Sequence, residues 1–267
     1  MHGKPFMGAD AWDPGESPGL DPGDVIAEVS GRDSVAAAVA LLRDGETRRV
    51  LPSIAYTGTE YGDLDSLLVN VRRMATLLGM EGVEVLEPVV TGSPRWWNGV
   101  VGRFNSVLSA RYGPWHICIG CHMYLHALRL PVAWRTGARR VVAGERLAHG
   151  GKVKVNQVAF AVEAYRTLLG EFGVRLELPL LDVDDEAELL SLVGEWPEGE
   201  GQPSCLLSGN YQGMEGEAVF QEERARAYIE EYLLPLTRRI LTCLREHGRA
   251  DYRALAREVL EEHGRWP

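Results

Sequence analysis

Short apolar, β-branched runs alternate with longer helical stretches along most of this chain, and that alternation restricts its fold more than any other feature. Candidate strands lie at Val25–Val29, Val50–Tyr56, Val83–Glu87, Arg140–Ala143 and Val174–Leu178. Helical patterns fill the gaps at Ser34–Arg43, Asp63–Leu78, Trp97–Ala110, His122–Thr136 and Asn156–Glu171, with a short acidic helix at Asp184–Val193. Strands separated by helices return to the sheet in the same direction, so the expectation is an α/β fold with a doubly wound, parallel, five-stranded sheet. After Gly213 the strands stop; Glu217–His247 and Asp251–His263 read as a C-terminal helical extension over 213–267, rich in Glu and Arg. Its bland reading is a solvated face of i,i+4 ion pairs, its alternative a partner or dimer surface. Residues 1–22, rich in Gly, Pro and Asp, read as a flexible leader, and Glu198–Pro203 as a mobile loop before Cys205.

Composition narrows the function. With 45% hydrophobic and 25% charged residues in 267, the chain has material for a full core. No run approaches the roughly 18 apolar residues of a membrane span, and the leader has no apolar stretch of signal-peptide type. The expectation is a cytoplasmic protein with no membrane partner. A net charge of −10 argues against a large nucleic-acid footprint, which needs Lys and Arg to neutralise phosphates, and favours a small substrate. In that compartment the four cysteines read as metal ligands or reactive thiols, not disulfides.

The most informative stretch is Asp24–Ser34, where an apolar strand runs into Ser30-Gly31-Arg32-Asp33-Ser34 and then into an Ala- and Val-rich helix. Gly31 permits close backbone approach, and a helix start attracts anions through its exposed N–H groups and its dipole. Ser30 and Ser34 add hydroxyls and Arg32 adds charge, at the carboxyl end of a strand where open α/β sheets bind ligands. An ordinary turn capped by Asp33 or Ser34 would use the same residues.

Strand–Ser-Gly-X-Asp-Ser–helix resembles the PP-loop of the adenine-nucleotide α-hydrolase superfamily, whose usual form, Ser-Gly-Gly-X-Asp-Ser, is one residue longer. The second strand ends in Tyr56-Thr57-Gly58-Thr59-Glu60, similar to the Thr-Gly-X-Glu of the phosphosulfate-reductase branch. The fourth ends in Gly144-Glu145-Arg146, similar to the Gly-X-Arg of that branch; Lys152 and Lys154 follow. The likeness spans about Asp24–Leu181. It implies a HUP or Rossmann-like PP-loop domain over 23–212. ATP and Mg²⁺ would be held by Ser30, Gly31, Arg32, Asp33, Ser34, Tyr56, Thr57 and Gly144, with Asp33, Lys152 and Arg146 in catalytic roles.

Cys118-Ile-Gly-Cys121 reads as a helix start, where thiol pKa values fall, and Cys205 lies in a later loop. CxxC plus a distant cysteine on a PP-loop domain resembles the tRNA-thiolating enzymes and some sacrificial sulfur transferases. The resemblance implies that Cys118, Cys121 and Cys205 hold a 4Fe–4S cluster with one open iron. Alternatives are zinc, with His116 or His126 as fourth ligand, and a reversible disulfide or persulfide carrier. Cys118–His122 also spells the CxxCH of c-type haem attachment, which belongs to exported proteins. Cys243, among Ile240, Leu241 and Leu244, reads as core. Pro94-Arg95-Trp96-Trp97-Asn98 reads as a base-stacking cluster or a core anchor. His149, Asn156 and Gln157 read as crevice lining, with a helix cap as the alternative for Asn156.

The function expected from these likenesses is AMP- and pyrophosphate-forming sulfur transfer. The acceptor is a small molecule or tRNA, and sulfide or a donor protein supplies the sulfur. Kept beside it are a phosphosulfate-reductase-like enzyme and a non-enzymatic nucleotide- or metal-sensing module; a homodimer is compatible with each.

Overall fold

The computed structural model describes residues 18–42, 45–62, 65–196 and 203–264. The leader expected over 1–22 lies almost wholly outside them, as does the loop expected at Glu198–Pro203. Six parallel strands form the main sheet: β1 (Val25–Glu28), β2 (Arg49–Tyr56), β4 (Glu84–Val85), β5 (Val89–Gly92), β6 (Arg140–Val142) and β7 (Arg175–Glu177). Across the sheet β4 and β5 lie end to end on the outer edge of β2, followed by β1, β6 and β7. A separate antiparallel ribbon pairs β3 (Glu60–Tyr61) with β8 (Ser204–Cys205).

The expected third strand, Val83–Glu87, is shorter than read, and β5 was not anticipated. Pro52 gives the reason. It falls midway along β2 on the edge that faces β4 and β5, since Leu86 N–H donates to the Val50 carbonyl two residues earlier on that edge. A proline has no N–H to continue the ladder. The outer strand therefore leaves at Val85, passes Pro88 and rejoins at Val89.

Strand side chains alternate between two cores, as period-2 geometry requires. Ile26, Leu51 and Val141 face one; Val25, Ala27, Val50 and Val142 face the other. Helices α1 (Arg32–Leu41) and α2 (Asp65–Met80) cover the second, with α8 (Glu186–Val193) packed on α1. The first is covered by α3 (Pro94–Trp97), α4 (Asn105–Tyr112), α5 (His116–Ala127), α6 (Arg129–Thr136) and α7 (Ala159–Glu171). The expected helix Trp97–Ala110 is divided by a π-turn at Asn98–Gly102, where Gly99 lets Tyr252 approach to within 2.6 Å of where a Cβ would stand. The expected His122–Thr136 breaks at Leu128, ahead of Pro131, which cannot donate to the carbonyl four residues back.

The C-terminal helices are α9 (Glu222–Ala227), α10 (Leu234–His247) and α11 (Tyr252–Glu262), with a π-turn at Tyr228–Leu233. Their charged faces carry the expected ion pairs, including Arg226–Glu222 at i,i+4. Their other face is not solvated: Tyr228, Tyr232, Leu233, Leu236, Ile240 and Leu241 are almost completely buried in the same core as α5 and α7. Cys243 lies half-buried on α10. Ile240→Ala should therefore cost about 2–5 kcal/mol, the range for emptying a packed site, in a denaturant-unfolding experiment. A surface appendage would lose no more than about 0.5 kcal/mol.

Candidate functional site

The chain winds outward from β1 through β2 to β4 and β5, then returns to β6 on the other side of β1. This reversal places a crevice at the carboxyl ends of β1 and β6, the usual ligand position in such sheets. The loop after β1 is held shut on itself. Ser30 N–H donates to Ser34 Oγ (2.9 Å), Ser34 Oγ–H donates to the Gly31 carbonyl (2.7 Å), and Asn70 Nδ2 donates to the Ser30 carbonyl (2.7 Å). Ser30 stays exposed and Ser34 is buried, so the two hydroxyls have different tasks.

Gly144 follows β6 and lies against the first turn of α1. A Cβ there would meet the Asp33 carbonyl carbon at 2.5 Å and the Ser34 nitrogen at 2.6 Å. The next residues complete the join: Arg146 Nε donates to Asp33 Oδ2 (2.9 Å), Arg32 Nε to Asp33 Oδ1 (3.0 Å), and Arg32 also pairs with Glu186 of α8. Lys154 extends the positive cluster. Partial loss of water lowers its ammonium pKa, Arg146 and Arg32 lower it further, and Asp33 and Glu145 oppose the shift. Lys152, expected in a catalytic role, and Lys154 are both exposed; the Lys152 backbone N–H donates to the His149 carbonyl, and Lys154 is the lysine whose ammonium interacts with Asp33 and Glu145. His149 is also held below its ordinary pKa, by burial first and then by Lys154 and Arg146.

At the end of β2 the Tyr56 carbonyl accepts from Tyr124 O–H (3.0 Å). Glu60 caps the turn that follows, accepting from Thr57 N–H (2.9 Å), Thr57 Oγ1–H (2.7 Å) and Gly58 N–H (2.8 Å). That turn opens the ribbon in which Glu60 pairs with Cys205. Thr59 Oγ1 lies 3.4 Å from Cys205 Sγ, so the ribbon carries the distant cysteine back to the sheet.

Cys118 and Cys121 stand at i,i+3 on α5, Cys118 in its first turn as expected of a helix start and Cys121 in its second, with Gly120 in the helix and not in a loop. Gly120 between them serves helix packing, since a Cβ there would lie 2.6 Å from the Tyr228 hydroxyl oxygen. The expected fall in thiol pKa is reversed. Burial, and then the neighbouring Cys205, push Cys118 up to about 12. Burial raises Cys121 further, although Trp97 Nε1–H donates to its sulfur (3.0 Å) and opposes the shift. Cys118 Sγ lies 3.0 Å from Asn210 Oδ1. The Leu207 N–H donates to Cys205 Sγ (3.4 Å) and the Leu207 carbonyl lies 3.8 Å from Cys118 Sγ, so the ribbon brings Cys205 beside the two helix thiols.

Between thiols and loop lies a group that sequence reasoning passed over. Glu145 Oε1 is 2.9 Å from His122 Nδ1 and 2.9 Å from His126 Nε2, while Gln157 Nε2 donates to Oε2. Burial alone would raise the Glu145 pKa; the two histidines hold it well below the carboxylate range. Burial alone would lower that of His122; Glu145 more than offsets this and raises it. His122 and His126, one helical turn apart, were the available sequence signal. His126 Nε2 is engaged with Glu145 and His116 Nδ1 with the Gly113 carbonyl (2.9 Å), while His126 Nδ1 and His116 Nε2 are buried without a hydrogen-bond partner. Asn156 does not cap α7; it lies 2.8 Å from His122 Nε2. Trp96 is a core anchor, fully buried and stacked on Tyr252. A cavity of about 490 Å³ lined by Pro22, Arg139, Arg140, Arg166 and Arg175 lies at the amino ends of β6 and β7, the opposite edge from the crevice.

Fold and site define a doubly wound α/β protein with basic, thiol and imidazole–carboxylate groups at the switch point of its sheet. The chain belongs to the family of the "Uncharacterized protein MJ0009" of Methanocaldococcus jannaschii, with 34% identity over 223 residues covering 81% of this chain and 79% of that protein. No family profile matches it. A crystal structure described as a predicted subunit of a tRNA methyltransferase, also from Methanocaldococcus jannaschii, aligns over 86% of this chain and 91% of that one at 12% identity and a TM-score of 0.40. Among the described residues no helix is long and apolar enough to cross a membrane.

Two outcomes follow from this geometry. Gly144→Ala should cost roughly 1–3 kcal/mol by chemical denaturation, because backbone has to move, whereas Gly170→Ala, with nothing within 4 Å, should be neutral or stabilising. Because the Cys118 pKa is raised, its thiolate fraction at pH 8 is small. Mass spectrometry of the metal-free chain should show Cys118 alkylated at least about tenfold more slowly than a thiol of pKa 9.0, the higher nucleophilicity of its thiolate offsetting part of the loss.

Proposed function

We propose that this chain is a PP-loop-type enzyme that adenylates its substrate with ATP and then directs sulfur transfer onto it beside Cys118, Cys121 and Cys205. The observation that carries this reading is convergence. Gly144 packs on the first turn of α1, Arg146 reaches Asp33 of the loop, and Glu145 between them reaches His122 and His126 on α5, the helix that also carries Cys118 and Cys121.

In this reading ATP enters with Mg²⁺ and lays its phosphates over Ser30–Ser34 at the start of α1, where helix N–H groups favour anions. Arg146 and Lys154 supply the charge that stabilises phosphate as pyrophosphate departs. Asp33 keeps Arg146 in place and is the carboxylate at the loop nearest to hand for the Mg²⁺. An acceptor carbonyl or amide oxygen attacks the α-phosphorus, the bond to the β-phosphate oxygen breaks, and pyrophosphate leaves. Sulfide then adds to the activated carbon, and AMP departs with the former carbonyl oxygen. The acceptor is a small molecule or a tRNA base.

The cysteines suit a thiophilic metal group. Cys121 is buried and Cys118 and Cys205 are half-buried; burial raises the Cys118 and Cys121 thiols, so coordination is what would remove their protons. A single tetrahedral zinc at about 2.3 Å would draw three sulfurs to roughly 4 Å from one another. Among the described residues the three thiols do not form a set within 4.8 Å, which favours a 4Fe–4S cluster over one zinc ion. When bound, such a cluster supplies a soft metal edge for holding sulfide. Trp97 donates toward Cys121, and Thr59 positions Cys205.

The test is an anaerobic preparation of the full chain assayed for iron, for ATP binding and for pyrophosphate. The expected result is about four irons per chain, lost equally in Cys118→Ser and Cys205→Ser, and ATP affinity reduced at least tenfold in Lys154→Met by calorimetry. Full metal retention by Cys205→Ser would exclude the shared site. Thiol-dependent reduction of a nucleotide phosphosulfate without pyrophosphate release would move the assignment to the reductase reading. Nucleotide binding without turnover would move it to a sensing module.

A further inference from the structure

We propose that His122, His126 and Glu145 form a second, mononuclear site for a divalent transition-metal ion, zinc(II) by preference, distinct from the three thiols. His122 and His126 stand at i,i+4 on α5 and so face the same way. Glu145, just past β6, is carried to that face by the packing of the strand exit. One ligand atom from each side chain lies within 4.8 Å of the others. Two imidazoles and one carboxylate suit zinc or iron(II); magnesium and calcium take oxygen ligands instead.

The surroundings are built as an outer shell for such a site. Asn156 Nδ2 lies 2.8 Å from His122 Nε2, an arrangement that puts the His122 proton on Nδ1 in the metal-free chain. Rotation of the Asn156 amide by 180° presents its oxygen instead, which fixes the N–H on Nε2 and frees the Nδ1 lone pair for the ion. Gln157 holds the second carboxylate oxygen, and the Tyr165 ring packs 5.0 Å from that of His126. The His126 and Glu145 side chains are 1% and 3% exposed, while that of His122 is 29% exposed, so the site opens on the His122 side. Three protein ligands and one open side is the arrangement of catalytic rather than structural zinc. An ion there lies between the β1 loop and the thiols, where it polarises an oxygen of the molecule in the crevice.

The competing arrangement is a metal-free trio in which both histidines donate N–H to Glu145. Cobalt(II) distinguishes the two. The full chain carrying Cys118→Ser, Cys121→Ser and Cys205→Ser, stripped with chelator, should bind one cobalt(II) per chain with visible d–d bands and no thiolate charge-transfer absorption, and zinc(II) should displace it. His122→Gln, at the most exposed ligand, should weaken binding at least tenfold with unchanged circular dichroism. Absence of cobalt from the three-serine chain, or unchanged binding in His122→Gln, overturns the site. Should the three-serine chain fail to fold, the chain with its cysteines intact decides. There His122→Gln should lose one cobalt per chain and keep the thiolate bands, and loss of none overturns the site. These readouts involve neither iron nor ATP, so this site and the adenylation reading stand or fall separately.

Discussion

Helix α5 is buried along most of its length, and most polar groups it carries find their partners inside the protein, His116 Nε2 and His126 Nδ1 excepted. Tyr124 is shared between the Tyr56 carbonyl and the Ser93 N–H, locking the ends of β2 and β5 to the helix. Cys121 takes the Trp97 N–H, Cys118 faces Asn210, and both His122 and His126 reach Glu145. One helix thereby holds the thiols and the imidazoles in a common frame at the carboxyl end of the sheet. Gly120 permits this, since only the absence of a Cβ lets Tyr228 lie across the helix.

Charge is distributed against the average. The chain carries a net −10, yet Arg32, Arg146 and Lys154 gather at the first turn of α1 around a single Asp33. Further along the crevice the balance changes, with Glu145 buried between histidines and Arg129 buried 3.6 Å from Glu28. A buried charge is tolerated only with a partner, so this region is a connected network and not a set of independent side chains. Such a network lets a proton or a cation at one position be felt at its neighbours.

Local patterns showed the layers of the fold well. Short apolar, β-branched runs marked β1, β2, β6 and β7, and helical patterns marked α1, α2, α7 and α11 to within a few residues, because each is decided by contacts near in sequence. The misread stretches share a cause in backbone chemistry that works across space. Pro52 interrupts a neighbouring strand and not its own, and the π-turn at Asn98–Gly102 follows from α11 pressing on Gly99. In the site, the loop Ser30–Ser34 and its companions Gly144 and Arg146 were legible from strand–turn–helix order. The thiol chemistry was not: Cys118 does lie in the first turn of α5, but burial reversed the expected direction of the Cys118 and Cys121 pKa shifts.

By itself the sequence determined the α/β alternation, the loop after β1 and the identity of the groups available for chemistry, since periodicity and turn residues are local properties. Only the tertiary structure decided which of those groups meet. Cys205 reaches the α5 thiols through a two-strand ribbon, and Glu145 becomes a partner of two histidines because Gly144 lets β6 close onto α1. Contacts of that kind are set by how the two cores pack on the sheet, a condition that no single stretch of sequence contains.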